Sequence, residues 1–304
     1  MSNERLLLLH IGRHKTGTTA VQQQLQMLQK PLLRRGILVP ETGLHQQQHL
    51  LFPAALLPDH PALPPGSPPD LDQLLPELQA EWQRSRAHCC LLSSEVFSEL
   101  AFRRPDVAQE LLQRLALSAD RLQILQVVRP LDDYVLSAIK HQLRNDHLLQ
   151  RSPLSWATHC RRKQDALDHF WLHSGWPHSS VPYNTKTIVP ELLQRVLREA
   201  DQLRTWPRMS RKLLTKVDQR PNADALPAAL YAAQVIQIVQ RRSQGSTPIG
   251  LAALAAQLGK RLPPLSVECL KELINVPQQD TASGDWEIVQ QTKAWHALRS
   301  ILAI

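Results

Sequence analysis

Aromatic rings are few in this chain of 304 residues: three Tyr, four Phe and seven Trp. So few Tyr and Phe rings leave little to stack bases on, which argues against a single-stranded nucleic-acid binder. No apolar run approaches the ~18 residues of a membrane span. The run Leu6–Leu9 stops at His10, too short for the apolar core of a signal peptide. Cysteine is limited to Cys89, Cys90, Cys160 and Cys269, at spacings that fit neither a zinc site nor a disulfide framework. The adjacent pair lies in an apolar stretch and reads as buried core thiols, so a reducing cytoplasm is the expected compartment. Glycine is scarce (10), whereas proline is plentiful (23) and clustered, marking loops rather than general disorder.

Basic residues outnumber acidic ones by 35 to 27, a surplus of +8. That favours anionic partners such as phosphates, sulfates or acidic polysaccharides, although a solvated basic surface gives the same count. No nucleic-acid-binding signature accompanies the charge, so no nucleic-acid partner is expected. The length suits one domain over 1–304, with a core over about 1–190 and a helical C-terminal part over about 191–304.

Leu6 to Ile11 is a continuous apolar run ended by Gly12, the pattern of a strand buried on both faces. Val21, Leu25, Leu28 and Leu32 then share one helical face, predicting a helix over Thr18–Leu33. Further strands are expected at Ile37–Val39, Cys89–Ser93 and Leu122–Val128, separated by helices at Leu71–Arg86 and Pro105–Leu117. A helix over Asp132–Asn145, a strand within Ser180–Val189, and helices at Pro227–Arg242, Ile249–Arg261 and Glu287–Ile304 complete the reading. The alternation implies an α/β fold: a three-layer, mostly parallel, doubly wound and P-loop-like sheet flanked by helices, with a helical C-terminal extension.

Gly12-Arg13-His14-Lys15-Thr16-Gly17-Thr18-Thr19 joins the first strand to the first helix. Free backbone N–H groups and the positive helix end make such a turn an anion site. Gly12 and Gly17 let the chain curl closely, and Thr16, Thr18 and Thr19 add hydroxyl donors. The glycine spacing matches the G-x-x-x-x-G-K-[ST] phosphate loop, but Thr18 stands where the lysine belongs and the lysine comes three residues earlier, as Lys15. The charge is therefore suited to a nucleotide with one 5′-phosphate and a group leaving from it. An unliganded Gly/Thr-rich turn is the bland alternative.

The segment LLLLHIGRHKTGTTAVQQQL resembles the 5′-phosphosulfate loop of bacterial-type sulfotransferases that use 3′-phosphoadenosine-5′-phosphosulfate (PAPS). His14 replaces the proline common before the lysine. The second segment, LQILQVVRPLDDYVLSAIKHQLR, is similar to the family's 3′-phosphate motif, with Arg129 closing a strand and Ser137 in the helix after it. The resemblance implies that Arg13, His14, Lys15, Thr16, Gly17, Thr18 and Thr19 hold the 5′ end of PAPS, and that Arg129 and Ser137 grip the 3′-phosphate. PAP is then the product, and no metal is required. The tight likeness covers about a third of the chain. Arg220–Leu226 is similar to a family segment after the core sheet and is equally a helix start, whereas Gly284-Asp285-Trp286 lacks the basic residues that should precede it and is read as a helix start.

Lys15 is the expected stabiliser of charge on the departing phosphate. Glu95, ending the Ser-Ser-Glu run after the third strand, is the first candidate for the base that takes the acceptor proton. It competes with a plain reading in which Ser93 or Ser94 caps the next helix and Glu95 complements its dipole. His49 and His45 are rivals, with the better unperturbed pKa. The acceptor is expected to be a small molecule or glycan offering a hydroxyl or amine. The sequence sets no oligomeric state. Two other readings stand beside this one: a P-loop small-molecule kinase, and a non-catalytic polyanion-binding protein. Phe52, Trp82, Phe97 and Trp156 are expected in the core rather than in a pocket.

Overall fold

A computed structural model describes residues 4–13, 16–63, 69–131, 134, 153–184 and 187–200, the side chains of 153–157 excepted. These residues fall into two compact units, one within Met1–Arg129 and Asp165–Gln219, the other beginning with Pro130–Gln164. In the second unit the described residues are few. Tyr134 donates its N–H to the Pro130 carbonyl (2.9 Å), and residues 153–164 are helical. The helices expected beyond residue 200, and nearly all of Asp132–Asn145, lie outside the described residues.

The first unit is built on five strands: β1 (Leu6–Ile11), β2 (Ile37–Leu38), β3 (Cys89–Ser94), β4 (Arg121–Val128) and β5 (His178–Pro182). All pair in parallel, in the order β2-β3-β1-β4-β5. Two helices, α1 (Thr18–Met27) and α2 (Gln29–Leu33), connect β1 to β2. Helices α3 (Leu51–Ala54) and α4 (Leu71–Ser85) lead to β3, and α5 (Val96–Arg103) and α6 (Pro105–Ala116) to β4. Helix α7 (Pro153–His173) precedes β5, and α8 (Ile188–Glu199) follows it. Among the described residues no helix is long and apolar enough to cross a membrane.

The chain moves one way along the sheet from β1 to β2, and the other way in every later connection. Right-handed crossovers then require α1 and α2 to cover one face and α4 to α7 the other. The core divides accordingly. Leu6 and Leu8 share a cluster with Val21, Leu25 and Leu192, whereas Leu7, Leu9 and Ile11 share one with Trp82, Leu111 and Trp171. Burial on both faces explains why β1 reads as an unbroken apolar run. Each leucine so buried stabilises the fold by about 1.5–3 kcal/mol. Phe52, Trp82 and Phe97 are core, as expected, and the side chain of Trp156 lies outside the described residues.

Three expectations are corrected. The helix over Thr18–Leu33 is two helices, broken at Leu28 (φ −100°, ψ 5°). Pro31 explains the break: it lacks an N–H, and its ring would strike the carbonyl four residues back, at Met27. The last strand begins earlier and ends at Pro182, after which 188–199 is helical. It is an edge strand whose residues, Val181 apart, are exposed or half-buried, so it carries little hydrophobic signal. The 21-residue α7 was not anticipated. Its apolar positions are thinly spread among charged and histidine side chains.

Because β1 and β4 are adjacent and lead off in opposite directions, the crevice at their carboxyl ends is the topological switch point of the sheet. Ligands of open α/β sheets bind at such a point.

Candidate functional site

The turn after β1 is made by close approach. A Cβ on Gly12 would lie 2.3 Å from Thr18 Oγ1 and 2.6 Å from its Cγ2, so only glycine lets the helix start fold back so tightly. Gly17 adopts φ +76° and precedes α1 without any side-chain cap. The first turn of α1 holds no acidic residue, so no carboxylate of its own answers the positive helix end. Thr16 Oγ1 donates to the Arg13 carbonyl (2.5 Å) and lies 3.3 Å from Thr18 Oγ1. Both hydroxyls are buried and brace the turn, whereas Thr19 is exposed. His14 and Lys15 lie outside the described residues, as does Ser137.

The side chain of Arg13 is engaged by residues outside the turn. Strand alternation carried two residues past Ile11 sends it to the α7 face of the sheet, away from α1. There it is only 2% exposed, its guanidinium paired with Asp168 of α7 and 3.4 Å from Gln126 Oε1. What Arg13 keeps in the turn is its backbone. The sequence held no signal for Asp168 as its partner, since the two are 155 residues apart.

Arg129 follows β4 directly. With Ile11 opposite Gln126, it leaves the sheet beside the Gly12 turn, at the switch point. Its guanidinium carbon sits 4.5 Å from the ring centroid of Tyr183, a cation–π contact. Tyr183 is fixed by donating its N–H to the Val128 carbonyl (2.7 Å). The same ring borders the other motif: a Cβ on Gly17 would lie 3.3 Å from Tyr183 Cε2. One tyrosine therefore stands between the first turn and Arg129, a role nothing in the sequence announced.

No protein-family model, curated protein or solved structure matches this chain.

At the exit of β3 the candidate bases separate. His49 is 1% exposed. It donates from Nε2 to the Pro40 carbonyl (2.9 Å) and accepts at Nδ1 from the Ser93 N–H (2.9 Å). Its own N–H donates to the Ser93 carbonyl (2.8 Å). Burial lowers its pKa to about 4. With both ring nitrogens engaged, His49 works as a rung that ties the loop after β2 to β3. His45 is half-buried in the tight turn beside it, exchanging backbone hydrogen bonds with Gln48.

Glu95 is half-buried at the first turn of α5, and its side chain does not cap that helix. Ser94 takes the capping task instead: its Oγ accepts from the Val96 N–H (3.1 Å) and donates to Gln48 Oε1 (2.9 Å). Glu95 acts electrostatically on His10, a residue the sequence reading passed over. His10 is fully buried, with Nδ1 2.8 Å from Ser93 Oγ. A lone histidine next to the end of an apolar strand, two residues before Gly12, was the available signal.

Proposed function

We propose that this protein is a sulfotransferase that moves a sulfuryl group from PAPS to a hydroxyl or amine of a small-molecule or glycan acceptor, in the cytoplasm. The observation that supports this reading is the position of Tyr183, whose ring lies 3.3 Å from where a Cβ on Gly17 would stand and carries the Arg129 guanidinium on its face. A donor with phosphates at both ends of an adenosine needs two anion sites near one another, and the neighbouring Gly12 turn and Arg129 at the switch point support that reading.

The chemistry follows from the residues. The acceptor oxygen or nitrogen bonds to sulfur as the bond from sulfur to the bridging 5′-phosphate oxygen breaks. Glu95 receives the acceptor proton, and PAP departs with the electron pair. Backbone N–H groups at the start of α1, together with Lys15, stabilise charge as it gathers on the bridging oxygen. Arg129 forks onto the 3′-phosphate, the geometry a planar guanidinium supplies.

Calorimetric titration of the full chain with PAP, and separately with ATP and Mg²⁺, tests the reading. PAP is expected to bind and ATP with Mg²⁺ to compete poorly. Lys15→Ala and Arg129→Ala should each weaken PAP by roughly tenfold to a hundredfold, as expected for a lost charge-assisted hydrogen bond. A wild-type chain that ignores PAP would remove the donor assignment, and tight binding of ATP with Mg²⁺ would move the chain to the kinase class.

A further inference from the structure

The turn after β1 is braced by its threonines at the start of α1, but it is anchored from the other face of the sheet. The guanidinium of Arg13 is buried, pairs with Asp168 of α7 and lies 3.4 Å from Gln126 Oε1. Gln126 belongs to β4, directly opposite Ile11. The backbone of the same arginine closes the turn. Its carbonyl accepts from the Thr16 N–H (3.3 Å) and from Thr16 Oγ1 (2.5 Å), and Thr16 Oγ1 lies 3.3 Å from Thr18 Oγ1. One residue therefore ties α7 to the start of α1, by its side chain on one hand and its carbonyl on the other. Helix α7 is itself firmly seated: Leu167 and Trp171, on either side of Asp168 in sequence, are buried in the core cluster that holds Ile11. The Asp168 side chain is 61% exposed. A guanidinium taken out of water needs charged or polar partners, and a carboxylate left largely in water escapes most of the desolvation cost of being one.

We propose that Asp168 is a positioning residue for the turn after β1: by holding the Arg13 guanidinium on the α7 face, it fixes the Arg13 carbonyl around which the turn closes, and so sets how tightly the turn holds the 5′ end of the nucleotide. This rests on the sulfotransferase reading for its ligand but not for its geometry. A long side chain held at its tip carries its own backbone with it, so the turn is ordered before a ligand arrives. Ordering that is already complete costs nothing on binding, and the saving appears as affinity.

Two arms test this on the full chain. The first needs no ligand. Hydrogen exchange followed by NMR compares the Thr16 amide, bonded to the Arg13 carbonyl, with the Val21 amide, bonded to the Gly17 carbonyl in α1. Asp168→Asn should speed exchange at Thr16 by roughly tenfold and leave Val21 within about twofold, the pattern of a local opening. Unchanged exchange at Thr16, or equal acceleration at both amides, overturns the proposal.

The second arm is calorimetric titration with PAP, normalised to the folded fraction. Asp168→Asn and Arg13→Gln should each weaken PAP by roughly tenfold, the scale of a lost hydrogen bond between charged groups. The double variant should bind no more weakly than either single one, because both remove the same link. Asp168→Glu keeps the charge on a side chain with room in solvent and should restore most of the affinity. Should Arg13→Gln not fold, the contrast between Asp168→Asn and Asp168→Glu decides alone. Additive losses in the double variant, or equal losses in Asp168→Asn and Asp168→Glu, overturn the proposal. So does tighter binding by Asp168→Asn, which would mean that a released Arg13 takes the ligand itself. Failure of wild type to bind PAP would remove the sulfotransferase reading, while the exchange arm would still decide the link between Asp168 and the turn.

Discussion

The loops that follow β1 and β2 leave the same end of the sheet, and both contain glycine and histidine, but they are finished differently. The loop after β2 closes on itself and on its neighbours. Glu81 of α4 accepts from the N–H groups of Glu41 and Thr42 (2.8 and 2.9 Å) and from Thr42 Oγ1 (2.6 Å), and His49 bridges Pro40 and Ser93. The turn after β1 spends its threonine hydroxyls on bracing, yet its helix begins with no side-chain cap and no acid. Polar groups that satisfy one another hold a shape, whereas groups brought together and left unanswered are available to a ligand. By that criterion the β2 loop is a closed structural segment, and the β1 turn is the place to seek a ligand. A histidine with both ring nitrogens bonded is a different object from a half-buried carboxylate.

The largest effect should come from testing that distinction at the base. Glu95→Gln is expected to lower turnover of PAPS by about 10²- to 10⁴-fold, the range for losing a general base, with PAP affinity unchanged. His49→Gln should leave turnover per folded molecule within a fewfold of wild type. Steady-state kinetics on both variants, normalised to the folded fraction, separates them. A collapse of kcat in a well-folded His49→Gln would return His49 to the chemistry and break the comparison.

How far the sequence showed this can be traced residue by residue. The parallel core was legible because strands buried on both faces, such as Leu6–Ile11 and Cys89–Ser94, leave continuous apolar runs between helical patterns. The edge strand β5 was misplaced because polar residues such as His178, Ser179 and Ser180 give it no such signal. The Gly12–Thr19 segment was legible as a tight strand-to-helix turn from its glycines and threonines, and Gly12, Thr16 and Thr18 make that turn. The fate of Arg13 was not, because Asp168 comes from a helix 155 residues away and only packing brings the two together. Tyr183 and His10 were missed for the same reason. Each owes its interest to a neighbour on another strand, and strand order is not written in local pattern.

The two buried histidines make acid stability the next test. Each has a folded pKa of about 4 against an ordinary 6.5. Between those values the unfolded chain binds more protons than the folded one, so stability is complete above about pH 6.5 and falls as pH drops toward 4. Each histidine contributes a slope of about 1.4 kcal/mol per pH unit within that window. Urea melts at pH 7, 5.5 and 4.5 should show the loss, and His49→Gln should flatten it by one histidine's share. At pH 7 the same variant should cost about 1–3 kcal/mol through the bonds to Pro40 and Ser93. An acid limb as steep as wild type in this variant would mean that His49 is not held neutral in the folded chain.

The smallest effect sharpens the comparison most, because it concerns Tyr183, the ring that among the described residues lies beside both Gly17 and Arg129. Tyr183→Phe keeps the ring over which the guanidinium lies and should bind PAP as wild type does. Tyr183→Leu removes the ring and with it a contact worth about 0.5–1 kcal/mol at a partly exposed site, which is roughly a two- to fivefold weaker Kd. The argument turns on the order of the variants as well as their size. Equal losses in Phe and Leu would mean that the hydroxyl, not the ring, is what the site uses. No loss in Leu would mean that Arg129 finds its place without the tyrosine. A loss far above fivefold in Leu alone would mean that the ring also packs against the nucleotide. Only the graded pattern, Phe intact and Leu modestly weakened, fits a tyrosine whose task is to hold Arg129 on the face of its ring.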